Sequence, residues 1–253
     1  MRHGILTAFA LMAMAATPAV AAPLNIPDQQ FTFDALGTQV TLSVTADAEV
    51  VSEGTERVVT GSSVGNLGDL QAKALPVAQA IPLPKEQCAN PNGINIVVDS
   101  IQSATIKAEG NAAKLELVGT VTGWGCLVGV GAPVATTQFA IGAPIAFYVK
   151  AAGDVGLKLA GPVELVAAGL PADLTALASD QINGAVNSAL AQARVTGPMT
   201  IDDIPDLQIE LSNAEFFDEG GTLKVRMEGT SRMSEETYQS LLTELGATEH
   251  RGI

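Results

Sequence analysis

The sequence predicts an α+β fold: a curved, mostly antiparallel sheet packed on a long amphipathic helix, with two shorter helices. Three observations carry that prediction. Apolar and polar residues alternate with period 2 along much of the 253 residues, the pattern of strands with one buried face. After Pro171 the apolar spacing changes to four residues, the period of a helix stripe. Strand-like and helix-like runs do not alternate regularly, which argues against a doubly wound parallel sheet.

Residues 1–21 read as an export signal. Met1-Arg2-His3 is positively charged, Ile5 to Ala16 is almost wholly apolar, and Ala19-Val20-Ala21 has the small-x-small pattern of a cleavage site. The apolar run is too short for a permanent anchor, and no cysteine follows for lipid attachment. The expectation is therefore a soluble, exported, periplasmic chain, with one α+β domain over residues 22–253.

The elements follow in order. Val40, Leu42 and Val44 alternate with Thr41, Ser43 and Thr45 as a strand, and Glu56 to Thr60 is a second extended run ending at Gly61. Asn66 is placed to cap a short helix carrying Leu67, Leu70, Ala74 and Val77, limited by Pro76 and ended by Pro82 and Pro84. Ile94, Ile96 and Val98 alternate next, followed by Leu115, Leu117 and Val121. The glycine-rich stretch Gly119–Gly131 reads as a bent strand or turn where backbones approach closely. Phe139, Ile141, Ile145, Phe147 and Val149, then Val155, Leu157, Leu159, Val163 and Leu165, read as consecutive antiparallel strands about a turn at Gly153-Asp154.

Leu174, Ala178, Ile182, Val186 and Leu190 form the stripe of a helix of about five turns. Leu207, Ile209 and Leu211 alternate, Asp218-Glu219-Gly220-Gly221 reads as a hairpin turn, and Leu223, Val225 and Met227 return. Ser234 caps a final helix with Glu235 and Glu236 in its first turn. Met233 and Tyr238 staple that cap, Leu241, Leu242 and Leu245 face inward with Tyr238, and Gly246 ends the helix.

Composition limits function. The formal charge is −14, with 27 acidic against 13 basic residues. Such a chain repels nucleic acid, whose binding needs Lys and Arg on phosphates, and anionic membrane surfaces. With 47% apolar and 16% charged residues, disorder is not expected. Cys88 and Cys126 are expected to pair in an oxidising compartment, closing a loop worth roughly 3–4 kcal/mol on the chain-entropy account.

Catalytic equipment is scarce. Removal of residues 1–21 takes His3 and leaves His250 as the one histidine. Gly61-Ser62-Ser63-Val64-Gly65 matches the G-x-S-x-G nucleophile elbow, with Ser63 as nucleophile and His250 downstream. Too few strands precede it, no glycine-rich oxyanion loop does, and His250 sits on a terminus. A small-residue turn is the plainer reading. Asp202, Asp203 and Asp206 cluster without the spacing of a calcium loop, and a solvated acidic turn is preferred. Gly123-Trp124-Gly125 lacks the offsets of a phosphate loop, so Trp124 is expected to pack in the core. No metal site and no cofactor are expected.

The remaining signal is apolar. Long aliphatic residues alternate with Ala140, Gly142, Ala146, Gly156 and Ala160, and the helix after Pro171 is rich in alanine. Small residues permit tight helix–sheet contact or leave room for a guest. A hydrophobic pocket between sheet and helix would be lined by Ile141, Ile145, Phe147, Leu177, Ile182, Val186 and Leu190. The strand pair, long helix Asp173–Arg194, and Ile204-Pro205-Asp206-Leu207 leading into a hairpin, together Phe139 to Glu228, resemble the tubular lipid-binding (TULIP) superfamily in layout. That resemblance implies a curved sheet wrapping a long helix around a lipid.

Three readings result. The first is an exported, non-catalytic binder or carrier of a lipid or other hydrophobic molecule. The second is a structural or partner-binding envelope protein with a filled core. The third, ranked last, is a serine esterase using Ser63.

Overall fold

A computed structural model describes residues 21–149, 155–192 and 206–249. Residues 1–20 of the expected export signal, His250, Asp202, Asp203, the expected turn at Gly153-Asp154 and the Ile204-Pro205 segment lie outside the described residues.

The antiparallel strand content is as expected, but it forms two sheets instead of one. The first is a meander of β1 (Ala22–Ala35), β2 (Thr38–Glu53) and β3 (Glu56–Asn66). It is completed by β9 (Gln208–Glu219), β10 (Thr222–Ser234) and the short β11 (Thr248–Glu249), in the order β11-β1-β2-β3-β10-β9. The second holds β4 (Ile94–Glu109), β5 (Ala112–Leu127), β6 (Val130–Val149) and β7 (Val155–Leu159), with β8 (Glu164–Ala167) also pairing β6.

Strand lengths exceed the alternating runs in the sequence. The Val40–Val44 alternation belongs to the 16-residue β2, and β3 continues through Gly61 to Asn66. β1 leaves little alternating signal because Pro27 and Asp28 fall in a register irregularity between Ile26 and Gln29. The run from Val155 to Leu165 is split into β7 and β8, and only β7 continues the hairpin with β6, through Val149 opposite Val155.

Four helices are present among the described residues. The segment after Asn66 forms two short helices, α1 (Gly68–Ala72) and α2 (Ala74–Gln79), where one was expected. The side-chain oxygen of Asn66 accepts from the Gly68 N–H at 2.8 Å. The long helix is α3 (Ala172–Gln192). The last, α4 (Glu235–Leu245), follows its sequence signals at both ends: the Ser234 hydroxyl oxygen accepts from the Thr237 N–H, and Gly246 is left-handed at φ 62°. Met233 and Tyr238 are buried together with Leu24 and Val50.

Two further apolar clusters organise the molecule. The larger joins Ile96, Val98 and Ile101 of β4, Leu117 and Val121 of β5, and Phe139, Ile141 and Ala143 of β6 to Leu174, Ala178, Ile182, Val186 and Ala189 of α3. One face of the second sheet is thus buried with the helix stripe. The smaller cluster joins the sheets: Ala113 and Ile145 of the second pack with Phe216, Leu223 and Val225 of the first. Phe147 and Phe216 stack there at 4.3 Å, and the Phe216 N–H donates to the Asn111 carbonyl at 3.1 Å.

Candidate functional site

The seven residues predicted to line a pocket occupy two places. Ile141, Ile182 and Val186 are buried in the α3–sheet cluster, with Leu177 partly buried against it. Ile145 is buried in the cluster between the sheets, with Phe147 packed on it, and Leu190 touches both clusters. They lie along β6 and most of α3, in two adjoining apolar clusters. Ala143 and Ala178 are fully buried in the cluster that holds residues of both α3 and the second sheet.

Two polar contacts hold α3 in place. The Asn183 side-chain oxygen accepts from the Val163 N–H at 3.1 Å, and the Ser179 hydroxyl donates to the Val163 carbonyl at 3.4 Å. The flanks of this seam carry partly exposed Leu159, Leu165, Leu170, Leu177 and Leu190.

The best-formed depressions lie elsewhere. One, of about 500 Å³, is an open hollow at the β5–β6 tip lined by Ile94, Leu127, Val130 and neighbouring glycines. The other, of about 250 Å³, lies among Pro84, Lys85, Glu86, Ala89, Asn95, Ile96 and Gln181. Neither includes any of the seven.

The tip itself was legible in sequence only as a glycine-rich turn. Leu127, Val128, Val130 and Val134 are 74%, 81%, 77% and 57% exposed. Cys126, beside them, is bonded to Cys88 as expected, with 5.8 Å between Cα atoms. The signal available was a valine in a two-residue turn inside a charge-free run. Trp124 is half-buried near the disulfide instead of in the core, and its indole N–H is buried with no acceptor among the described residues.

The elbow reading meets its correction here. Ser63 sits in the interior of β3, opposite Ala46 of β2 and Met227 of β10, where an elbow needs the apex of a sharp strand-to-helix turn. Gly61 answers to packing: a Cβ there would lie 2.4 Å from the Asp47 carbonyl oxygen. Among the described residues no group of three or more His, Cys, Asp or Glu is placed to hold a metal, and no helix is long and apolar enough to cross a membrane.

No protein-family model and no curated relative match the chain. Among solved structures it is similar to a lipopolysaccharide binding protein at 8% identity, over 84% of this chain and 85% of that one, with a TM-score of 0.31.

Proposed function

We propose that this is an exported, non-catalytic periplasmic protein that binds or carries a lipid or another hydrophobic molecule between α3 and the second sheet. The observation that supports this reading is the seam itself. Both of its walls are apolar, alanines stand where helix meets sheet, and leucines flank it partly exposed. An alanine-rich contact buries less apolar area than a leucine-rich one of equal length, so parting it costs less. Apart from the two contacts to Val163, an entering acyl chain would exchange one apolar surface for another, gaining roughly 25 cal/mol per Å² removed from water before the costs of binding.

Native mass spectrometry of protein purified without detergent tests the reading. The expected result is a lipid-sized mass increment, and saturable displacement of a fluorescent fatty acid that Leu177→Asp weakens while the fold is kept. Apo mass alone, with no saturable binding of that probe, would overturn it.

A second reading has its own supporting observation. The seven residues are already packed and the best-formed depressions lie elsewhere, as in an envelope protein with a filled core that acts through its surface. The apo result would favour this one.

A further inference from the structure

We infer that the β5–β6 hairpin tip is a membrane-docking element whose aliphatic side chains enter the acyl boundary of a lipid bilayer with an uncharged or zwitterionic surface. The inference does not depend on a guest beneath α3, because it concerns a different part of the molecule.

Four observations converge on the tip. Together with Ile94, 45% exposed, the four tip residues present on the order of 500 Å² of apolar surface. That is the size of a functional patch and below the ~800 Å² per partner that a stable protein interface buries. The patch is therefore too small to hold a second copy of the chain by itself.

Charge is absent along the hairpin itself. The chain carries no Asp, Glu, Lys or Arg from Gln87 to Val98 or from Leu117 to Val149, although the whole bears a formal charge of −14. The hairpin from Leu127 to Val134 thus offers a hydrocarbon phase no ionised side chain to desolvate, and the closest charges in sequence to the loop beside it are Lys85 and Glu86.

Three backbone donors of the tip are already satisfied within the fold. The Cys126 N–H donates to the Gly93 carbonyl at 2.8 Å and the Gly129 N–H to the Pro91 carbonyl at 3.0 Å. The Val128 N–H donates to the Asn92 side-chain oxygen at 2.8 Å. Water is not needed to satisfy these three donors, which lowers the cost of bringing them near hydrocarbon.

The last observation is a strained valine. Val128 and Gly129 form a two-residue turn with φ of 53° and 78°, positions that favour Asn-Gly. A β-branched residue in the left-handed region is an outlier with a conformational cost. The same backbone recurs at Leu36-Gly37, with φ of 54° and 85°, and there the leucine packs against the larger core cluster. Val128, 81% exposed, has no such return within the fold. A bilayer supplies it.

Flotation with phosphatidylcholine vesicles tests the assignment on the full exported chain. Wild-type protein is expected to float with the vesicles in both low and high salt, and bromine-labelled acyl chains are expected to quench Trp124, the sole tryptophan. Val128→Asn, which suits the turn and keeps the fold, and Leu127→Ser with Val130→Ser should each lower the bound fraction about tenfold. Both should leave binding of a fluorescent fatty acid in free solution unchanged, which separates tip docking from binding at the seam. The inference is overturned if wild-type protein stays unbound, if the folded Val128→Asn variant floats as wild type does, or if the tip substitutions convert a dimer to a monomer without changing flotation.

Discussion

Among the described glycines, Gly119 is the one whose added methyl group would make the closest contact. A Cβ there would lie 2.1 Å from the Ser100 carbonyl oxygen and 2.8 Å from the Phe139 ring. β4 makes two register irregularities opposite this stretch, between Val98 and Ser100 and between Ile101 and Ser103, and so presses its backbone toward β5. Neither obstacle can swing aside, because one is backbone and the other is a ring that is 2% exposed. Gly119→Ala is expected to cost about 2–4 kcal/mol, read as a lower urea midpoint at unchanged slope. The close approach was readable from the density of glycines. The partner strand and the ring it protects were not, because the pairing of Gly119 with Phe139 is a property of register.

Among the elements, α4 was the most legible because its signals are local. The cap, the staple and the terminal glycine lie within a few residues of the helix they control, and each appears where its residue type predicts. Ser234→Ala removes the oxygen that accepts from the Thr237 N–H and should cost about 1 kcal/mol, with thermal melting as the readout and Ser234→Asp restoring most of the loss. α3 shows the opposite limit. Its stripe was plain from spacing, and Leu174, Ala178, Ile182 and Val186 are buried as that spacing requires. Spacing could not say whether the small residues opposite would admit a guest or bring the helix closer. The pocket prediction grouped Ile145 and Phe147 with the α3 stripe because all lie on apolar faces. Long strands passing from one cluster to the other place these two between the sheets instead.

At the scale of the whole molecule, acidity sets a direction for stability against pH. Hydrogen bonds from Lys73, Lys107 and Lys224 are the largest causes holding Asp69, Glu116 and Glu219 below their ordinary values of 3.8, 4.5 and 4.5. A carboxylate whose folded pKa lies below its unfolded one contributes stability above the unfolded value, and loses it as pH falls through the folded value. These three groups should therefore contribute in full from neutral pH down to about pH 5 and progressively less below about pH 4. Lys73→Met should remove the share that belongs to Asp69, measured as a shallower acid limb in a series of urea unfolding curves. Arg57 and Arg232, whose pKa values are raised by hydrogen bonds from their guanidinium groups to Glu235 and Glu53, stay charged throughout that range. The antiparallel character was also legible at this scale, from period-2 runs and from the lack of strand–helix alternation. The division into two sheets was hidden, because pairing between β3 and β10 leaves no local mark.

That pairing sets Asn66 opposite Lys224 and Glu56 opposite Ser234, so the first sheet closes only after nearly the whole chain is available. During synthesis, the opening meander has an unfilled edge at β3 while the second sheet is still arriving. Sequence-distant closure of this kind slows folding, and an open strand edge invites pairing with other chains. Under the export proposed above, the late arrival of β10 would act as a timer: it would keep the N-terminal sheet incomplete until the C-terminal hairpin had crossed.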